Sequence, residues 1–163
     1  MLGDAPFIAT PHPGPKSRAV ADRLRRTEGA PGLTFGLATD PPVLARAEGA
    51  VIEDPDGNRF LDMVAGFGSL NLGHSHPAVV EAAARQLSLG QQAMSMASPV
   101  RAELIEAMAA MVPGLTRVML GASGSEATEI ALKLVRRATG KIGVLAFSGA
   151  FHGRTMGALA LMG

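Results

Sequence analysis

The residues best placed to do chemistry lie in the run Met119-Leu-Gly-Ala-Ser-Gly-Ser-Glu-Ala-Thr-Glu-Ile-Ala-Leu-Lys-Leu-Val-Arg-Arg-Ala138. Thr116 to Leu120 is short and largely apolar, a turn of small residues follows, and Ala127, Ile130, Ala131, Leu134 and Ala138 then recur at helical spacing. The pattern predicts a buried strand, a tight turn and a helix with one buried face. Ser123-Gly124-Ser125-Glu126 fits a capping box, in which the Ser123 hydroxyl accepts from the Glu126 backbone N–H and the Glu126 carboxylate reaches back to the cap. The N–H groups of Gly124 and Ser125 are then left unpaired at the positive end of the helix, with the Ser125 hydroxyl beside them. A phosphate dianion would fill that gap, and Gly124, having no Cβ, lets it come close to the backbone. Strand, turn and helix alone leave an ordinary capped helix without a ligand equally open.

The elements that would position this turn can be read on both sides of it. Downstream, Gly140-Lys-Ile-Gly-Val-Leu-Ala-Phe147 is an apolar run bounded by glycine, which reads as a second buried strand. Strand, helix and strand predict a right-handed parallel crossover, whose ligands sit at the carboxyl ends of the strands. Those ends are Gly121 to Ser125 and Ser148-Gly-Ala-Phe-His-Gly-Arg-Thr155, so Phe151 and His152 are expected within reach of a phosphate at Ser125. Upstream, Ser98-Pro99 starts a helix with Leu104, Ile105, Met108 and Met111 as its buried stripe, and Pro113-Gly114 ends it.

Nearer the N-terminus, a proline-rich arm at Pro11 to Pro15 leads to Ser17, read as the cap of a helix from Arg18 to Thr27 that stops near Gly29 and Pro31. Val43 to Ala47 and Ala50 to Glu53 read as short strands, and Asp56-Gly57 as the turn leading to a return strand at Arg59 to Asp62. A calcium loop at Asp54, Asp56 and Asn58 lacks the glutamate that such a loop carries at its twelfth position. Gly66-Phe67-Gly68-Ser69-Leu70-Asn71-Leu72-Gly73 does not have dinucleotide-loop spacing, and suits a pocket lining around Phe67. His74 and His76 precede Pro77, which opens a helix to about Leu87; with His152 they could make three metal ligands, but no carboxylate is spaced to complete the set.

Composition narrows the class. A length of 163 residues with 47% apolar residues suits one folded unit with a core. A formal net charge of +1, with no Trp and no Tyr, provides neither a basic surface nor a stacking platform, which argues against nucleic acid as a partner. The absence of cysteine excludes disulfides and thiolate metal sites. The N-terminus lacks a signal-peptide pattern and no apolar run reaches spanning length, so a soluble, cytoplasmic protein away from membranes is the expectation.

Three motifs, in order, carry a resemblance: Glu48-Gly49-Ala50 through Asp56-Gly57-Asn58-Arg59-Phe60-Leu61-Asp62, then Gly73-His74-Ser75-His76-Pro77, then Ser123-Gly124-Ser125-Glu126-Ala127 with Ala150-Phe151-His152-Gly153-Arg154-Thr155. From about Pro42 to Gly163 the chain resembles the N-terminal part of the class III aminotransferases, pyridoxal-phosphate enzymes of fold type I. The resemblance implies an α/β architecture: an arm, helix, hairpin and pocket loop over residues 1–75, and the start of a large cofactor-binding domain with an incomplete parallel or mixed sheet over 76–163. It implies that Gly124 and Ser125 hold the cofactor phosphate, that Phe151 stacks on the pyridine ring with His152 as its neighbour, and that Phe67 shapes the substrate pocket. It implies a homodimer acting on an amino donor and an oxo-acid acceptor. Ala122 departs from the asparagine that many members carry beside the phosphate turn.

The family's reaction needs a lysine for the Schiff base and an acidic partner for the pyridinium nitrogen. By the resemblance both lie beyond Gly163, and Lys16, Lys133 and Lys141 are badly placed to serve. The chain is therefore expected to be a fragment without transaminase activity of its own. Decarboxylating or isomerising relatives of the same family remain an alternative reaction. A phosphosugar-binding module like the sugar isomerase (SIS) domains is an alternative of another class; it accounts for Ser123 to Ser125 but gives no role to the Asp56-Gly57-Asn58 hairpin or the Phe151-His152-Gly153 loop.

Overall fold

The computed structural model describes residues 2–28, 40, 42–90 and 96–162. They form two compact units, residues 1–92 and 93–163. The first contains α1 (Pro15–Thr27), the strands β1 (Arg46–Glu48), β2 (Val51–Glu53) and β3 (Arg59–Leu61), and α2 (Pro77–Leu89). The second contains α3 (Pro99–Met111), α4 (Gly124–Thr139) and α5 (Met156–Leu159).

In the first unit the strands form an antiparallel sheet in the order β1-β2-β3. Ile52 stands opposite Ala47 on one side and Phe60 on the other, so the expected strand, turn and return strand are all present. The Asp54-Pro-Asp-Gly-Asn58 turn does more than reverse the chain. Asp54 Oδ1 accepts from the N–H groups of Asp56 at 2.9 Å and Asn58 at 2.8 Å, while Asp54 Oδ2 accepts from Asn58 Nδ2 at 2.9 Å. Asn58, fully buried, uses its Oδ1 to accept from the Thr10 N–H at 2.9 Å. The proline-rich arm is thus bonded to the hairpin, and Phe7 continues the sheet by bridging Arg59. The side-chain oxygens of Asp54, Asp56 and Asn58 all face protein donors.

Ser17 is not the cap of α1. Gly14 occupies that position with Pro15 at the first turn, and Ser17 lies buried inside the helix. The cap comes from 39 or more residues away: Asp56 accepts from the N–H of Lys16 at 2.9 Å, the N–H of Ser17 at 2.8 Å and the Ser17 hydroxyl at 2.7 Å. A carboxylate there satisfies orphan donors and opposes the positive end of the helix. Burial works against the charged form of Asp56, yet the Ser17 hydroxyl and the two N–H groups prevail and hold its pKa below the ordinary value. Gly29 and Pro31, expected to stop α1, lie outside the described residues.

The second unit departs further from expectation. Helices α3 and α4 stand where the sequence places them, with Ser98 capping α3 by accepting from the Arg101 N–H at 3.3 Å, while α5 has no counterpart in the sequence reading. The two strands do not form: residues 115–120 and 141–147 have no regular secondary structure and join no sheet among the described residues. Leu145, at 97% exposure, is far from the buried strand expected. A parallel strand needs ladder partners on its edges and cover on both faces, and the described residues of this unit supply neither. The same lack leaves the predicted stripe of α3 open, with Leu104, Met108 and Met111 all exposed.

Candidate functional site

The turn at the start of α4 is built as its sequence suggested, with one change. Ser123 is the cap of α4 in extended conformation, and its hydroxyl accepts from the Glu126 N–H at 3.2 Å. The Glu126 carboxylate reaches back one residue further than a capping box requires, accepting from the Ala122 N–H at 2.6 Å. Ala122 therefore contributes its backbone, although its side chain offers no hydrogen bond. Among the described residues no protein group meets the N–H of Gly124 or of Ser125. A Cβ added at Gly124 would meet nothing within 4 Å, so the space beside Gly124 is open.

The loop with Phe151 and His152 is fastened to the same helix. The Ser125 hydroxyl accepts from the Arg154 N–H at 3.2 Å, which leaves its own proton to donate. The Thr128 hydroxyl lies 3.0 Å from the His152 carbonyl and 3.1 Å from the Gly124 carbonyl. Glu129 Oε1 accepts from the N–H groups of Gly157 at 2.8 Å and Ala158 at 3.3 Å. Gly153 is buried at φ 128°, and a Cβ there would run into Ser125, including its Cα at 2.9 Å. Only glycine permits the chain to pass so close to the start of α4. Phe151 keeps 65% of its surface exposed, so a ring face remains available.

These contacts change which face of α4 is buried. Ala127, Ile130, Ala131 and Leu134 do not pack inward; with Ile105 and Thr116 to Met119 they line an open groove of about 700 Å³. The buried side follows Ser125, Thr128, Glu129 and Leu132, with Leu132 only 5% exposed. The sequence singles out Ser125 but neither Thr128 nor Glu129, which the structure places on the same face. Their spacing of three and four residues from Ser125 was the available signal, since it puts all three on one face.

The Phe67 loop belongs to the first unit. Ala65, Gly66, Phe67 and Gly68 follow one another at positive φ, from 48° to 86°, and Phe67 is 81% exposed at the tip. Asp62 holds the start of this left-handed turn by accepting from the N–H groups of Val64 and Ala65, each at 2.9 Å. Its other oxygen accepts from His74 Nε2 at 2.7 Å, so the carboxylate ties both ends of the loop. His74, foremost, and then the Ala65 and Val64 N–H groups hold the Asp62 carboxyl below its ordinary range. Gly49 and His74 exchange backbone hydrogen bonds at 2.9 and 2.8 Å. A pocket of about 260 Å³ opens between Ser69–Gly73 and the start of α2, lined by His76, Val79 and Val80 but not by Phe67.

Comparison with known proteins identifies the family and the fold. Residues 38–163 match the family model described as aminotransferase class-III. Acetylornithine aminotransferase from Mycolicibacterium smegmatis is 45% identical over 126 residues, which are 77% of this chain and 32% of that protein. An omega-transaminase from Sphaerobacter thermophilus superposes with a TM-score of 0.79 at 36% identity, covering 88% of this chain and 33% of its own. A transaminase solved with PLP bound superposes with a TM-score of 0.78 at 28% identity, covering 86% and 33%. The chain spans about a third of the length of these relatives. It belongs to the class-III aminotransferase family and has the fold of its fold type I transaminases.

Proposed function

We propose that the start of α4 holds the phosphate of pyridoxal 5′-phosphate, and that the protein carrying this chain moves an amino group between an amino donor and a 2-oxo acid or aldehyde. One observation carries the reading: two open N–H groups, Gly124 and Ser125, with a hydroxyl proton free to donate beside them, at the positive end of a 16-residue helix. When bound, the cofactor supplies an electron sink for a carbanion next to nitrogen. The chain's part is to fix its position. Gly124 and Ser125 would take the phosphate oxygens, and the exposed Phe151 ring would cover the pyridine with its negative face. His152 would neighbour that ring, its carbonyl held by Thr128.

Phe67 is proposed for the substrate pocket, supported by its exposure on a strained left-handed turn. The likeness to transaminases also supports a homodimer as the working form. Among the described residues no helix is long and apolar enough to cross a membrane, and the lack of cysteine suits the cytoplasm we propose. The test is ligand choice by equilibrium dialysis. Pyridoxal 5′-phosphate should bind at least tenfold more tightly than glucose 6-phosphate or inorganic phosphate, and Ser125→Ala should weaken it by about tenfold, as loss of a hydrogen bond to a charged group does. Equal affinity for the sugar phosphate would favour a phosphosugar module instead.

A further inference from the structure

We propose that Thr128 and Glu129 are positioning residues that seat the Phe151–His152 loop on the start of α4. This rests on the cofactor reading above and adds to it the residues that fix the ring-covering loop relative to the phosphate turn. Neither side chain points to the open N–H groups; both bond to the returning chain. Thr128 stands between two carbonyls, that of Gly124 in the phosphate turn and that of His152 next to Phe151, and shares one proton between them. Its hydroxyl therefore joins the two parts of the site through a single atom.

Glu129 acts one helical step further along. It receives Gly157 and Ala158, anchoring the chain just past the loop. A Cβ on Gly157 would lie 2.5 Å from the Glu129 carboxylate, so the close approach depends on glycine at that position. With Ser125 receiving Arg154, three residues on one face of α4 hold the segment from 152 to 158 at three separate points. A loop fixed this way needs little ordering when the cofactor arrives, and preorganisation of that kind appears as affinity.

The experiment uses the full chain as wild type, Thr128→Val, Thr128→Ser and Glu129→Ala. Two readouts are taken: dissociation constants for pyridoxal 5′-phosphate and for inorganic phosphate by equilibrium dialysis, and amide exchange of Arg154, Gly157 and Ala158 without ligand. Thr128→Val keeps the shape and removes the hydroxyl; it should weaken pyridoxal 5′-phosphate about fivefold, leave inorganic phosphate within twofold, and speed exchange at Arg154. Thr128→Ser should restore all three. Glu129→Ala should speed exchange at Gly157 and Ala158 and weaken pyridoxal 5′-phosphate selectively. Unchanged exchange in both variants, or equal loss for the two ligands, overturns the inference. A wild-type chain with no preference for pyridoxal 5′-phosphate overturns the cofactor reading instead, while the exchange data still report whether the loop is held.

Discussion

Asn58 shows how much one side chain can organise. It is fully buried, and its amide joins Asp54 of its own turn to Thr10 of the arm. Asn58→Ala leaves the Asp54 carboxylate and the Thr10 N–H without that partner, so it should destabilise the first unit by about 2–4 kcal/mol, measured by urea unfolding; a loss under about 0.5 kcal/mol would mean that the arm is held elsewhere. The sequence identified the turn but not this role, because Thr10 lies 48 residues away and no local pattern records that pairing. Asp62 is read in the same way. Its pKa is depressed in the fold, so its contribution to stability is present above the ordinary value near 3.8 and is lost as the pH falls through its lower folded value. Asp62→Asn should therefore reduce the fall in unfolding midpoint between about pH 4 and pH 2, while Asp56, also depressed, keeps part of it. An acid limb as steep as that of the wild type would exclude Asp62 as a source.

At the scale of the element, α4 shows where periodicity is informative and where it is silent. Its start, cap and end were legible, since capping chemistry is local: Ser123 caps it, and Gly140 closes it in the left-handed region at φ 70°. Its buried face was not legible. An apolar stripe tells which side prefers to leave water, but the returning segment packs by hydrogen bonds to Ser125, Thr128 and Glu129 on the other side. The two sides make opposite predictions. Leu132→Ala, at a position only 5% exposed, should cost about 2–4 kcal/mol, whereas Leu134→Ala, at 50% exposure, should cost less than about 1 kcal/mol. Urea unfolding of both variants decides the matter, and a larger loss at Leu134 would mean that the stripe facing the 700 Å³ groove is buried after all.

For the whole molecule, motif order made the family legible, because each motif pairs residues whose chemistry is fixed locally: a turn, a helix start, a glycine loop. The two expected strands of the second unit stay unpaired for the opposite reason. A strand's identity rests on partners, and an apolar run announces only the wish for them. The unpaired segments at 115–120 and 141–147 carry Met119, Ile142, Leu145 and Phe147, all more than half exposed, and α3 adds Met111. Large apolar side chains this exposed are ready to leave water against another surface. The chain on its own should therefore bind the dye ANS strongly and show a weight-average mass that rises with concentration in sedimentation equilibrium. Replacing Ile142, Leu145 and Phe147 by Lys, Glu and Lys should lower both signals without weakening pyridoxal 5′-phosphate, since these side chains lie outside the Gly124, Ser125 and Phe151 set. A monodisperse wild-type monomer with no ANS signal would show that these faces are covered within the chain, and would remove the physical ground for expecting partner strands.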